Sequence, residues 1–226
     1  MHRSVLLVVA LALTFVSTAA SAAARETARI ADAVVVLDEI MQIREEGIPP
    51  ALLRNAEAVA IIPGVVKAGF VLAGRFGRGL VVVRNEDGSW SNPLFVTITG
   101  GSIGWQAGGQ SSDVVLVFRR RHSVDNIVEG KFTLGADAAV VAGPVGRRAE
   151  AAVDDTFRAE VFSYARSRGL FAGVSLEGSG LQVDHEANAR YYGSDRSPQS
   201  IIGARDAAGR ESVRSLHNRL SLYASE

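Results

Sequence analysis

From Ala58 to Phe118 the chain reads AVAIIPGVVKAGFVLAGRFGRGLVVVRNEDGSWSNPLFVTITGGSIGWQAGGQSSDVVLVF. Short apolar runs rich in Val, Ile and Phe alternate with glycines. Val59–Ile62, Gly69–Ala73, Leu80–Val83, Leu94–Thr99 and Val114–Phe118 have the length of strands and are bounded by turn-forming residues. Asn85-Glu86-Asp87-Gly88 predicts a hairpin turn in which Gly88 supplies a positive φ. Leu80-Val81-Val82-Val83 is apolar at every position, so both faces of that strand must be covered. Glycines inside such strands predict bulges, sharp bends or close crossings.

Three further runs, Ala138–Ala142, Val161–Tyr164 and Phe171–Leu176, extend the strand pattern towards Val183. Helical texture lies on either side. From Ala24 to about Glu46 the apolar residues Ile30, Val34, Leu37 and Met41 recur at helical spacing, with Gly47 and Pro49-Pro50 as the stop. A short turn through Leu52 and Leu53 follows, with Pro50 at its first position. Val124, Ile127 and Val128 predict a short helix over residues 121–129. Asp184–Tyr191 reads as a helix capped by Asp184, and residues 210–223 place Val213, Leu216, Leu220 and Tyr223 on one helical face. Ser194–Ile202, with Pro198, reads as a loop. No linker and no fixed repeat is visible. The fold class predicted is α+β: a glycine-rich antiparallel β-barrel or sandwich flanked by N- and C-terminal helices, all one domain.

The first residues bear on location. A basic start ending at Arg3, the apolar run Ser4–Val16 and the Ala20-Ser21-Ala22 pattern predict a signal peptide over residues 1–22, and a domain over residues 23–226. The apolar run is shorter than the roughly 20 residues that span a bilayer. Without residues 1–22 the chain keeps 23 basic and 24 acidic side chains, which argues against a dedicated nucleic-acid binder. There are no cysteines, which removes thiol catalysis, zinc–cysteine sites and iron–sulfur ligation. A periplasmic or secreted location is expected, with a core large enough to fold without disulfides.

Chemistry can be sought in several places. Gly100-Gly101-Ser102-Ile103-Gly104 matches G-x-S-x-G, but a nucleophile elbow needs a helix directly after the serine, and Trp105–Gly109 is too rich in glycine to form one. Neither glycine-rich segment has the order of a phosphate loop. Asp184-His185-Glu186 is a poor metal chelate, because neighbours on a helix point apart. The expectation is no enzyme, no cofactor and no metal, with a serine hydrolase using Ser102 as the least favoured alternative. The N-terminal helix sets Arg25, Arg29 and Arg44 against Glu26, Asp32, Asp38, Glu39, Glu45 and Glu46, which repels anionic lipid and favours packing on the sheet. Basic clusters at strand ends carry more weight: Arg119-Arg120-Arg121, Arg147-Arg148, Arg166 with Arg168, and Arg75 with Arg78. Arginine grips phosphate through two parallel hydrogen bonds, so clusters meeting on one face make an anionic-headgroup site.

The stretch quoted above, together with GKFTLGADAAVVAGPVGRRAEAAVD and SYARSRGLFAGVSLEGSGLQVDHEANARYYG further on, resembles the SYLF family of lipid-binding domains. The likeness runs from Leu52 to Gly193, several long motifs in the family's order. The resemblance implies a glycine-rich α+β fold and binding of acidic phospholipids, phosphoinositides in eukaryotic relatives. Some of those relatives also engage actin, a role that an exported chain would not share. Charge and position near glycine turns single out Lys67, Arg75, Lys131, Arg147, Arg148, Arg166 and Arg168 to line the headgroup contact. The function expected is an exported lipid-binding protein on a membrane surface of anionic phospholipid. The alternative is a module that docks another protein of the envelope.

Overall fold

Strands that are apolar on both sides need two covers, and the structure, a computed structural model, supplies both. It describes residues 23–43, 47–69, 72–103, 108–130, 132–143, 159–167, 170–171, 176–207 and 210–225. The strands are β1 (Ala58–Gly69), β2 (Leu72–Val83), β3 (Leu94–Ile103), β4 (Gly108–Phe118), β5 (Phe132–Thr133), β6 (Val140–Ala142), β7 (Val161–Ser167), β8 (Leu170–Phe171) and β9 (Ser179–Val183). They form one sheet in the order β5-β9-β3-β2-β1-β4-β7-β6, with β8 beside β7. Every pairing is antiparallel except that of β6 with β7.

The order forces curvature. β5 and β6 end the sheet on opposite sides, yet they are consecutive in the chain and joined by residues 134–139. A flat sheet would hold them about 34 Å apart at the usual strand spacing, while the connection reaches about 24 Å when fully stretched. The sheet therefore curls into a half-barrel, and the backbone N–H groups of Glu160 and Val161 both donate to Ala139 O beside the join. The fold is α+β, as the sequence predicts, with a single curled sheet in place of a closed barrel or a two-sheet sandwich.

Alternation along the strands divides the core in two. Val59, Ile61, Leu80, Val82, Phe95, Val115, Val117, Phe162 and Tyr164 face outward from the curl. They are covered by Ile30, Leu37 and Ile40 of α1 (residues 23–41), by Leu52 and Leu53 of α2 (Pro50–Arg54), and by Leu216 and Leu220 of α6 (Glu211–Ser225). Ala60, Ile62, Val81, Val96, Ile98, Val114, Leu116 and Phe118 face the other way. They meet Val124 and Ile127 of α3 (Arg121–Val128), Phe132 of β5, and Ile201 of α5 (Pro198–Gly203). Burial of each such side chain contributes about 1.5–3 kcal/mol relative to exposure. α4 (His185–Tyr192) starts at Asp184, whose side chain accepts from Ala187 N at 2.9 Å.

Two expectations are corrected. Residues 198–203 are helical, because Pro198 occupies the first turn and Ser197 caps it by accepting from Ser200 N. The four central strands run for 10 to 12 residues, since their glycines continue the strands. Gly79 shows why: a Cβ there would lie 2.2 Å from Ile61 O, where β1 bulges between Ile61 and Val66. Only a residue without a side chain lets β2 pass.

Gly79→Ala should therefore lower stability in urea unfolding by about 2–3 kcal/mol, as overpacking does. Gly74→Ala, with nothing within 4 Å of the added methyl, should change it by less than about 0.5 kcal/mol. The C-terminal helix carries a second test. His217 Nε2 lies 2.9 Å from Ser91 O, and burial lowers the pKa of the ring. The neutral ring belongs to the folded state, so its contribution is complete above the unfolded value of about 6.5 and is lost as pH falls through the lower folded value. Unfolding midpoints measured from pH 7.5 to 5 should fall more steeply for the wild type than for His217→Gln.

Candidate functional site

Beyond Ile62, Gly79, Ile98 and Val114 the four central strands continue past the double-sided core. Register sets the geometry of this extension. Gly69 pairs with both Ala73 and Gly108, and Leu72 pairs with Ile103, so the β1–β2 and β3–β4 connections lie at the same end of the sheet. The extension is built from small residues and is open on part of its surface: nothing stands within 4 Å of the position a Cβ would take at Gly74 or Gly101, which pair with one another.

The two faces differ. On the face that continues the inner core, Lys67 pairs with Arg75, and Arg75 with Gly100. Arg75 is 8% exposed and donates from Nη1 to Ser179 Oγ at 2.8 Å, and burial lowers its pKa. Gly100 makes room for that contact, since a Cβ there would stand 2.6 Å from Ser179 Oγ. Lys67 is half-buried beside it. On the opposite face Val66 pairs with Phe76, and the two side chains are 48% and 47% exposed. They rise from a floor of Ala68, Gly74, Thr99 and Gly101. Arg78, exposed, holds its guanidinium 5.4 Å from the centre of the Phe76 ring.

The predicted headgroup residues thus have different fates. Lys67 and Arg75 do come together, but Arg75 is turned inward as a brace to β9. Arg166 lies across the sheet in β7, where its Nη2 meets Glu39 of α1 and, at 3.2 Å, Asp113 of β4. It fastens α1 to the sheet. Lys131, Arg147, Arg148 and Arg168 lie outside the described residues. The alternation of a continuous strand would have shown that Lys67 and Arg75 share one side and Val66, Phe76 and Arg78 the other. Reading the glycines as strand ends hid it.

A second concavity, of about 810 Å³, is lined by Glu57, Arg84, Asn85, Glu86, Asp87, Arg121 and Arg205. Its charges cancel. Arg205 pairs with Asp87 at 2.8 Å, and hydrogen bonds from Ser89 together with Arg205 pull the Asp87 carboxyl down to about 2. Arg84 stacks on Trp90 at 4.1 Å and donates to Leu53 O, Ala56 O and Gly88 O, so it is committed to the fold. The described part of the G-x-S-x-G motif, Gly100 to Ile103, belongs to β3, so Ser102 lies within a strand and not on the strand-to-helix turn of a nucleophile elbow.

A family model, Ysc84, described as a Las17-binding protein and actin regulator, matches residues 99–223. The chain belongs to the SYLF family. It is 40% identical over 164 residues to LAS seventeen-binding protein 3 of Saccharomyces cerevisiae, covering 71% of this chain and 36% of that protein. It is 42% identical over 156 residues to human SH3 domain-containing YSC84-like protein 1, covering 69% of this chain and 45% of the relative. The chain spans less than half the length of these curated relatives. The matched residues take in β4 to β9, α3 to α5 and most of α6.

Within this SYLF fold Arg166 joins three elements. Arg166→Ala leaves Glu39 and Asp113 facing one another without their cation, and should cost about 1–2 kcal/mol in urea unfolding. Wild-type stability in the variant would show that this cation does not hold α1 to the sheet.

Proposed function

We propose that the chain is an exported lipid-binding protein that takes anionic phospholipid headgroups at the open, glycine-rich end of its sheet. One observation carries this reading. Lys67 and Arg78 stand on the two faces of this end, and Asp113 of β4 is already engaged by Arg166 and by Gly64 N at 2.9 Å. A chain with balanced totals thus presents two cations on the strands of this end. The small residues there keep the surface low, so a phosphate can come close to Lys67 and Arg78. The leader-like residues 1–22 support export, and the strand conformation at Ser102 supports binding over catalysis. A periplasmic or secreted location follows, at the surface of a membrane.

The names of the yeast relatives favour a second reading, docking of a protein partner, here one of the envelope. Co-sedimentation with vesicles separates the two. The chain without residues 1–22 should bind vesicles containing phosphatidylglycerol, release them as salt rises, and ignore pure phosphatidylcholine. Each cation near an anionic surface contributes about 1 kcal/mol, so Lys67→Ala with Arg78→Ala should weaken binding by about tenfold or more and flatten the salt dependence. Equal binding to neutral and anionic vesicles, or none to either alongside capture of an envelope protein, would turn the assignment to the second reading.

A further inference from the structure

At the other end of the sheet, the ends of three neighbouring strands and a turn wall the concavity of about 810 Å³. Glu57 stands just before β1, Arg84 just after β2, and Arg121 opens α3 soon after β4. Backbone hydrogen bonds hold them in register: Glu57 N donates to Phe118 O and Arg84 N donates to Glu57 O, both at 2.8 Å. The hairpin turn Asn85–Gly88 adds Glu86 and Asp87 to the lining. The walls are therefore set by the fold itself, and the volume falls in the range of about 300–1,000 Å³ usual for small-molecule sites.

The charges of this concavity sum to zero, but they are not all paired. Asp87 and Arg205 neutralise each other at 2.8 Å. The Arg84 guanidinium is taken up by Leu53 O, Ala56 O and Gly88 O and lies over Trp90. It feels the Glu57 carboxylate electrostatically but makes no ion pair with it. Among the described residues, the half-buried Glu57 side chain and the exposed Glu86 side chain meet no cation within ion-pair distance and accept no hydrogen bond. Arg121 donates from Nη1 to Arg84 O at 3.1 Å and approaches Asp125 only at 4.0 Å. Two carboxylates and one guanidinium thus keep hydrogen-bonding capacity that the fold does not use.

We propose that this concavity binds a short peptide by its two free termini, with the ammonium at Glu57 and Glu86 and the carboxylate at Arg121. Glu57 and Arg121 flank one residue, Arg84, whose N–H meets Glu57 O and whose carbonyl accepts from Arg121, so one small ligand spans both. A guanidinium holds a carboxylate through two parallel N–H donors. Selection follows from the lining. A simple anion meets Glu57, Glu86 and Asp87, and a simple cation meets Arg84, Arg121 and Arg205. A ligand that carries both signs satisfies the unpaired groups of both, and the half-buried carboxylate gains the partner that the fold withholds. The site lies beyond the start of β1, away from the glycine-rich end, and stands independently of the headgroup reading.

Calorimetric titration of L-alanyl-L-alanine into the chain without residues 1–22 tests the proposal. The dipeptide should bind, while its N-acetylated form and its C-terminal amide, each lacking one terminal charge, should bind at least about tenfold more weakly. Glu57→Gln should weaken the free dipeptide and the amide and leave the acetylated form unmoved. Arg121→Gln should weaken the free dipeptide and the acetylated form and leave the amide unmoved. Loss of fold would not produce this crossed pattern, and if either variant melts below the wild type, the dipeptide series on the wild-type chain still decides. No heat up to about 10 mM dipeptide overturns the proposal. So does equal binding of the three dipeptides, or binding that neither substitution moves. Glycerophosphoethanolamine supplies the same two charges from a lipid headgroup, and tighter binding of it than of the dipeptide would overturn the peptide assignment.

Discussion

Between residues 58–62, 79–83, 94–98 and 114–118 the four central strands have no side that can meet water, and the placement of the other elements follows from that. Ile61, Leu80, Phe95 and Val115 demand an outer cover, which brings α1, α2 and α6 across one face. Ile62, Val81, Ile98 and Leu116 demand an inner one. No second sheet is available for it, so the sheet bends until α3, α5 and β5 fill its concave side. The short β5–β6 connection closes that route and makes the curvature obligatory. The same strands then run out of covering elements. Their far halves are richer in glycine, alanine, serine and threonine, and Val66 and Phe76 stand exposed among them.

The arginines show why composition is a poor guide to surface charge. Arg29 and Arg190 each meet the buried carboxylate of Glu26 at 3.0 Å and lock the start of α1 against α4. Arg166 holds Glu39 from the sheet. Arg84 and Arg210 lie at 4.1 Å over Trp90 and Tyr191. A planar cation with five donors can serve a carboxylate, a carbonyl and a ring at once, and this fold uses it as internal fastening. The acids of α1 are engaged in the same way, since Asp38 accepts from Tyr223 at 2.7 Å and pairs with Arg219 at 3.3 Å. Charge left for recognition is whatever this fastening does not consume.

Much of the scaffold was legible in the residues. The apolar spacing of Ile30, Leu37 and Leu216 marked the terminal helices, Asp184 marked a cap, and Asn85–Gly88 marked a turn in which Gly88 has a φ of 82° and donates to Asn85 O. The family came from long motifs in order. What could not be read depends on distance along the chain. Arg166 meets Glu39 across 127 positions and Arg190 meets Glu26 across 164, so neither residue's neighbours in sequence reveal its partner. Strand length failed for a different reason. Gly77 and Gly79 look like breaks, but each answers to a close approach of β1, whose side chains and backbone leave no room for a Cβ. Pro198 likewise reads as a loop residue until Ser197 is seen to cap the turn it opens.

The exposed pair at the open end has no adequate structural reason. An aromatic residue opposite a β-branched one stabilises a strand pair by about 0.2–1 kcal/mol. Thr99, on the neighbouring strand in the same row, shows that a β-branched polar residue fits this surface and exposes no large apolar face. Buried contacts do not need Phe76 either, since the ring is 47% exposed and the Arg78 guanidinium lies 5.4 Å from its centre. A soluble sheet edge gains little from such a pair and becomes more prone to stick. The pair is an exposed apolar feature that the packing of the sheet does not require.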